Sequence, residues 1–400
     1  MTKVLILQGE NTYNYGAFML LINFVYYTHK KDSNLSYYIT LNSEDDLFRL
    51  KSELPSEIKI NRFEFNKSIK SKNLIDKIIG VKNKLLNHIN QIKNEKFDKI
   101  VFLGGDGLSE YYKKWTIITD LLIIRKLSKF TNVYLIGQTI GPFYSWRKNC
   151  AKRCFQNCYI TLRDSKNKEY LINELKISNF IVSSDLAFLE LPNEENKKYV
   201  LSKYKIKKKY ITIIPSGSWK QYCKYKELYL ENWKLLINNL LNLQNIHDCK
   251  IVLFPHVCKP LSESDLNIIN VISDYIKSDR IIYIKDHLLA SEAREIIKNG
   301  FFTITGRMHP SISSFSTNVP AIPISYSIKY DGIIKKDLDF EELLVDKDKN
   351  IWINNMLSES VIEKINYLLL NKVQIDEKIR KNIHNIKKQA ILQIEYFNNN

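Results

Sequence analysis

The stretch Phe301-Phe302-Thr303-Ile304-Thr305-Gly306-Arg307-Met308-His309-Pro310-Ser311 shows the unit from which the whole chain is built. Phe301–Thr305 is a short apolar and β-branched run, Gly306 ends it, and a helical pattern opens at Ser311 before the next apolar run, Ala321–Ile324. A run that is apolar at nearly every position reads as a parallel strand buried on both faces, because a strand with one wet face would alternate. Pro310 suits a first helical position, which makes His309 the expected N-cap, at the positive end of the helix dipole. Strand, glycine turn, helix and strand together form a βα unit.

Moving outward, the same grammar recurs. The chain has only 12 glycines in 400 residues, so their positions carry information. Gly9, Gly104, Gly137, Gly217 and Gly306 each close or closely follow an apolar run: Val4–Leu7, Ile100–Leu103, Val133–Ile136, Tyr210–Ile214 and Phe301–Thr305. Helical patterns lie between them at Trp115–Leu127, Glu227–Leu243, Glu263–Ile276 and Ala290–Lys298. Alternating β and α elements imply right-handed crossovers and doubly wound α/β sheets. The expected fold class is α/β, with two Rossmann-like domains facing across a cleft and with C-terminal helices. The expected divisions are residues 1–190, a polar linker 191–209, residues 210–350, and helices over 351–400 that pack on the domains.

Composition narrows the function classes. With 44% apolar and 26% charged residues the chain is globular, which excludes disordered and collagen-like classes. Its six cysteines show neither a disulfide framework nor a CxxC zinc pair, and their expected state is reduced and mostly buried. No metal site is expected. The start, Met1-Thr2-Lys3-Val4-Leu5-Ile6-Leu7-Gln8-Gly9-Glu10, lacks the basic and long apolar regions of a signal peptide. No apolar run reaches the ~20 residues of a membrane span. The expected location is cytoplasmic, with or without peripheral contact at the inner membrane face. The net charge of +17 points to anionic partners, yet the lysines are dispersed and no nucleic-acid module appears, so nucleic acid is not expected. Much of the charge also fits a lysine-rich composition on solvated faces.

The strand-end loops hold the residues that carry chemistry. Asn14 and Gly16, in the turn Asn11-Thr12-Tyr13-Asn14-Tyr15-Gly16-Ala17, can offer amide and backbone N–H groups to an anion, or simply connect strand to helix. Gly104, Gly105, Asp106 and Gly107 exceed what one turn requires, and close approach to a ligand is the use expected of them. This loop is neither a Walker loop nor a GxGxxG turn. Gln138 lies in a third glycine-framed loop, Gly137–Gly141. Arg163 is read either as an ion-pair partner of Asp164 or as a ligand for an anion, and Asp185 as a cap. In the second half Ser216 and His256 occupy strand-end loops. Arg307, His309 and Lys329 form the densest cluster, with a guanidinium fork and unpaired helix N–H groups suited to phosphate or carboxylate.

In this order the motifs resemble the polysaccharide pyruvyl transferase family. The resemblance rests on Asn14-Tyr15-Gly16-Ala17, Gly104-Gly105-Asp106-Gly107, Gly137-Gln138-Thr139-Ile140-Gly141-Pro142-Phe143, Arg163-Asp164-Ser165, Asp185-Leu186-Ala187-Phe188, and Arg307-Met308-His309 with Lys329 twenty positions later. Two positions depart from it: Asp106 stands where glycine is more usual, and Pro310 where a small residue is. The helices after Ile351 lie outside it.

The resemblance implies that the two Rossmann-like domains are glycosyltransferase B-like, and it implies transfer of the pyruvyl unit of phosphoenolpyruvate to two hydroxyls of a sugar in a cell-surface polysaccharide or its precursor, giving a pyruvate ketal and phosphate. The sugar acceptor is free or lipid-linked, and no cofactor beyond the donor substrate is implied. The first domain is expected on the acceptor side and the second to hold the donor anion. The chemistry requires a proton donor near neutral pH, which histidine supplies, and cations for the donor's carboxylate and phosphate. His309 is therefore the expected general acid. Arg307, Lys329 and Arg163 are expected anion binders, and Asn14, Gly16, Gly104, Gly105, Asp106, Gln138, Ser216 and His256 are expected in substrate contact. A glycosyltransferase of the same fold using a nucleotide sugar is the alternative enzyme. A basic sugar- or lipid-surface binding protein with a decayed site is the alternative from another class, and the intact Arg307-Met308-His309 cluster argues against it.

Overall fold

Short valine- and isoleucine-rich runs cannot satisfy their backbone groups alone, and in the computed structural model they pair edge to edge as parallel strands. The structure describes residues 1–66, 86–110, 116–207, 209–327, 329–348 and 350–400. Trp115 of the helix expected at Trp115–Leu127, Lys208 of the expected linker and Ile328 lie outside these residues.

The chain divides into two compact units. One comprises Met1–Asn11, Leu20–Leu186 and Gln389–Asn400, and the other Thr12–Met19 and Ala187–Lys388. The first unit holds β1 (Thr2–Leu7), β2 (Leu35–Ile39), β3 (Ile60–Arg62), β4 (Lys99–Gly105), β5 (Asn132–Gln138), β6 (Cys158–Leu162) and β7 (Ile181–Val182). They form one sheet in the order β3-β2-β1-β4-β5-β6-β7. The second unit holds β8 (Tyr210–Ile214), β9 (Lys250–Leu253), β10 (Ile281–Tyr283), β11 (Thr303–Thr305) and β12 (Ala321–Pro323), in the order β10-β9-β8-β11-β12. Each sheet therefore reverses direction beside its first strand, between β1 and β4 and between β8 and β11. Ligands of doubly wound sheets bind at the carboxyl ends of the strands at such a switch point.

The core of the first unit follows from periodicity. Ile117, Leu121, Ile124 and Leu127 recur at helical spacing on the helix Ile117–Leu127 and pack on Leu5, Ile100, Val133 and Ile160 of the sheet. The long C-terminal helix Lys372–Asn399 returns its last residues to this unit. There Gln393 Nε2 donates to the Ser184 carbonyl at 2.6 Å and Phe397 meets Phe24 edge-on.

Three local expectations change. The segment 191–209 is no bare linker: it contains the helix Tyr199–Lys203, and Leu191, Val200 and Ile206 are buried in the second unit. Most of its described charges are exposed while Glu194 is buried, and only composition made it resemble a spacer. The helix expected from Glu263 begins at Leu266, after a 3-10 turn at Leu261–Glu263. The helix expected from Ser311 spans Met308–Ser316 with Arg307 as its cap. His309 is thus the second helical residue and Pro310 the third, where a missing N–H still costs no helical bond. All six cysteines are free, and burial pushes the Cys154 and Cys158 thiols up to about 12. Among the described residues no helix is long and apolar enough to cross a membrane.

Candidate active site

At the switch point of the second sheet, β8 and β11 lie side by side, and the loops leaving them carry Ser216, Gly217 and Ser218 on one strand and Gly306 and Arg307 on the other. Beneath these loops is a group of buried tyrosines. Tyr229 donates its hydroxyl to the Ser216 carbonyl at 2.7 Å, and Tyr222 donates to the Gly306 carbonyl. Burial, with Tyr330 beside it, holds the Tyr222 phenol far above its ordinary range, so it remains a protonated donor. Ser216 is fully buried, and its hydroxyl accepts from Ser218 N at 3.2 Å.

Arg307 adopts extended backbone, with its N–H donating to Thr305 Oγ1 at 2.9 Å. Its guanidinium is held on several sides. Nε and Nη2 reach Asp265 Oδ1 at 3.0 and 2.7 Å, Nη1 reaches Ser218 Oγ at 3.1 Å, and Nη2 also reaches the Glu263 carbonyl at 2.8 Å. Burial alone would lower its pKa, and the Asp265 carboxylate more than reverses that, leaving it raised. Asp265, fully buried, also accepts from Gly217 N at 2.7 Å on Oδ1 and from His256 N and Val257 N at 3.0 and 2.8 Å on Oδ2. One carboxylate thus ties together the loops after β8, β9 and β11. Sequence reading missed Asp265, since Ser264-Asp265-Leu266 reads as an ordinary helix start and its partner is 42 residues away.

Asn14–Gly16 is placed by the second unit. Asn14 forms an antiparallel bridge with Val257, Tyr15 N donates to the His256 carbonyl at 3.0 Å, and the Tyr15 hydroxyl accepts from Leu288 N at 2.8 Å. Asn14 Oδ1 accepts from Ala17 N at 3.4 Å, so this side chain caps the helix Tyr15–Lys31. Gly16 lies directly against His309. A Cβ built at Gly16 would stand 2.1 Å from His309 Nδ1, 2.2 Å from its Cγ and 2.6 Å from its Cβ. The glycine read as an anion-binding turn is where it is because only a missing side chain leaves room for this imidazole.

His256 is buried, its ring meeting Tyr15 edge-on at 5.4 Å, and its Nε2 has no hydrogen-bond partner among the described residues. Burial, reinforced by His309, Arg307 and Arg294, lowers its pKa well below the ordinary range and keeps it neutral. Lys329 Nζ donates to the Tyr326 hydroxyl at 2.6 Å, and Tyr326 packs on Tyr222 at 5.1 Å. A cavity of about 260 Å³ opens on this network, lined by Gly217, Ser218, Trp219, Lys220, Gln221, Ser262 and Glu263.

The remaining expected residues belong to the first unit. At Gly104 the backbones of β4 and β5 leave no room for a side chain: a Cβ there would lie 2.5 Å from the Gly137 carbonyl oxygen. Gly105 has φ +134°, a conformation that favours glycine, and its Cβ direction is open. Gln138 is buried, donating Nε2 to the Phe102 carbonyl at 2.9 Å, while its Oε1 has no partner among the described residues. Arg163 is buried, with Nη1 3.2 Å from Asp185 Oδ2 and Nε 2.9 Å from Thr139 Oγ1. Burial opposes its charge, but Asp185, Asp106 and Asp164 together raise its pKa. Asp185, read as a cap, is therefore the ion-pair partner of Arg163, and Asp106 adds a carboxylate near the same guanidinium.

Two parallel-sheet α/β units, each reversing beside its first strand, define the class of glycosyltransferase-B-like folds. The chain belongs to the polysaccharide pyruvyl transferase family, whose model matches residues 14–328. It is similar to the amylovoran biosynthesis protein AmsJ of Erwinia amylovora, at 21% identity over 299 residues that span 72% of this chain and 69% of that protein. Similar solved structures include a UDP-GlcNAc 2-epimerase from Neisseria meningitidis bound to UDP-GlcNAc, at 13% identity and a TM-score of 0.62 with both chains fully covered. MnaA of S. aureus, in a co-structure with UDP, has 14% identity and a TM-score of 0.61, over 100% of this chain and 97% of that one. These two likenesses concern the fold. The family makes the chain a transferase of polysaccharide biosynthesis.

Proposed function

We propose that this enzyme moves the pyruvyl unit of phosphoenolpyruvate onto two hydroxyls of a sugar in a cell-surface polysaccharide or its precursor, acting in the cytoplasm with no cofactor beyond that donor. The observation that carries the reading is that the family match runs from Asn14 to residue 328 and so takes in both sides of one contact, Gly16 against His309. In this reading His309 protonates the methylene carbon of the donor. The adjacent carbon becomes cationic and is attacked by one sugar hydroxyl, whose proton is released. The bond from that carbon to the phosphate oxygen then breaks, phosphate leaves with the electron pair, and the second hydroxyl closes the ring as its proton passes to phosphate or water. Lys329 and the positive end of the helix Met308–Ser316 are suited to the donor's negative charge. Arg307, committed to Asp265, is assigned to holding Ser218 and the Glu263 carbonyl in place.

The test is phosphate release from phosphoenolpyruvate across a panel of lipid-linked and nucleotide-linked sugars. In His309→Gln, donor binding should stay within a few-fold while turnover falls about 10²–10⁴-fold, the usual weight of a general acid. Near-normal turnover would remove His309 from the reaction. The alternative of a nucleotide-sugar glycosyltransferase has the UDP-bound neighbours as its support. It would be favoured by turnover of a nucleotide sugar in an assay where phosphoenolpyruvate is inert.

A further inference from the structure

The loops that line the cavity beside Arg307 carry an unusual rim. Leu261 stands 76% exposed and Tyr225 56% exposed. The loop that presents Leu261 is well fastened: Asn267 Nδ2 donates to the Leu261 carbonyl at 2.6 Å, Glu263 N donates to the Pro260 carbonyl at 3.0 Å, and Arg307 holds the Glu263 carbonyl. A leucine held out in water by a braced loop is an exposed apolar group that the fold does not hide. Lysines accompany aromatic rings along these loops. Lys220 Nζ lies 5.6 Å from the Trp219 ring, Lys224 Nζ 5.4 Å from the Tyr225 ring, and Lys259, two residues before Leu261, lies 3.5 Å from the Tyr13 ring. Apolar tip, aromatic rings and lysine ammonium groups are the mixture that suits the boundary between acyl chains and anionic headgroups.

We propose that this rim, formed by Trp219, Lys220, Lys224, Tyr225, Lys259 and Leu261, docks on an anionic lipid bilayer, with Leu261 and Tyr225 entering the interface and the lysines meeting the headgroups. The cavity it surrounds then opens toward the membrane, where an acceptor sugar on a lipid carrier would be found. This last step rests on the pyruvyl-transfer reading, but the docking itself does not. Charge complementarity selects the occupant: the rim carries four lysines when Lys226 is included, against Glu227, Glu263 and the Arg307-paired Asp265 on the same stretches, in a chain of net charge +17.

The experiment is co-sedimentation of the full chain with vesicles, scored without turnover, so that its failure and failure of the catalytic reading are distinguishable. Vesicles of equal parts phosphatidylcholine and phosphatidylglycerol should bind the protein, pure phosphatidylcholine should not, and salt should weaken binding. Lys220→Ala and Lys224→Ala should each weaken it about fivefold, the weight of one lysine near an anionic surface. Leu261→Ser should weaken it about tenfold. Leu370→Ser, at a residue 84% exposed outside the rim, should leave it unchanged. Equal effects of Leu261→Ser and Leu370→Ser, or equal binding to both vesicle types, would overturn the proposal. So would a concentration-dependent dimer in ultracentrifugation that Leu261→Ser abolishes, since the rim would then be a self-association surface.

Discussion

Gly16→Ala is the smallest change that tests whether His309 works from where the fold places it. The added methyl carbon would stand 2.1 Å from Nδ1, 2.2 Å from Cγ and 2.6 Å from Cβ of His309. Ordinary carbon contacts lie at about 3.5–4.0 Å, so the ring must retreat by more than about 1 Å. Flipping the ring about its last torsion gives no relief, because Cγ and Cβ are also too close. The ring must leave by χ1 rotation, or the start of the helix Met308–Ser316 must shift. A misplacement of about 1 Å at a reacting group costs on the order of 10²-fold in rate, and overpacking costs about 1–3 kcal/mol of stability where backbone has to move.

Gly16→Ala should therefore retain donor binding and a cooperative unfolding transition while single-turnover pyruvyl transfer falls about 100-fold. The effect belongs to His309 and should vanish without it: in a His309→Gln background, adding Gly16→Ala should change turnover little, because the two substitutions remove the same function. Turnover of Gly16→Ala within two- or three-fold of the parent, or losses that simply add in the double variant, would refute the reasoning.

Three further outcomes follow from the geometry. His256 has a lowered pKa in the folded state, so its contribution to stability is fully present above the ordinary histidine value of about 6.5 and is lost as pH falls below it. Denaturant midpoints at pH 7.5 and 5.5 should differ less in His256→Gln than in the parent if this histidine is responsible. Asp265→Ala should destabilise the second unit by about 3–5 kcal/mol, because it strands the Arg307 guanidinium; a calorimetric scan in which that unit melts unchanged would contradict the network. Gly104→Ala should destabilise the first unit by about 1–3 kcal/mol, since its Cβ meets strand backbone at 2.5 Å, whereas Gly107→Ala, with nothing within 4 Å, should be near neutral in the same denaturant titration.

Much of the fold was readable because strands buried on both faces must be apolar throughout. Val4–Leu7, Ile100–Leu103 and Val133–Ile136 fall inside β1, β4 and β5, and Tyr210–Ile214 is β8. Helix starts were less readable, since a cap is decided by backbone direction: Arg307 takes extended backbone and hands the first helical place to Met308. In the site, the loops were legible from their glycines, but the partners were not. Asp265 to Arg307 and Gly16 to His309 are contacts over 42 and 293 positions, and nothing in the local sequence announces them. Tyr222 and Tyr229 escaped for a related reason: in a chain with 24 tyrosines, nothing local marks those whose hydroxyls hold strand-end carbonyls.

The two arginines that looked most available for an anion show what such legibility conceals. Each unit buries a guanidinium against a carboxylate near a strand end, Arg163 with Asp185 and Arg307 with Asp265. A guanidinium has five N–H donors, so a ligand anion can meet either arginine at the N–H groups its carboxylate leaves over, whereas displacing a buried carboxylate would cost several kcal/mol. That exceeds the about 1.5–3 kcal/mol of a typical charge-assisted hydrogen bond, so the balance favours keeping both pairs closed while the donor binds. Arg307 also acts by placement: it holds Ser218 and the Glu263 carbonyl, both on loops that line the cavity. Arg307→Lys keeps the charge but cannot span Asp265, Ser218 and Glu263 at once. It should therefore disturb the cavity loops and the stability of the second unit before it disturbs the charge presented to a donor.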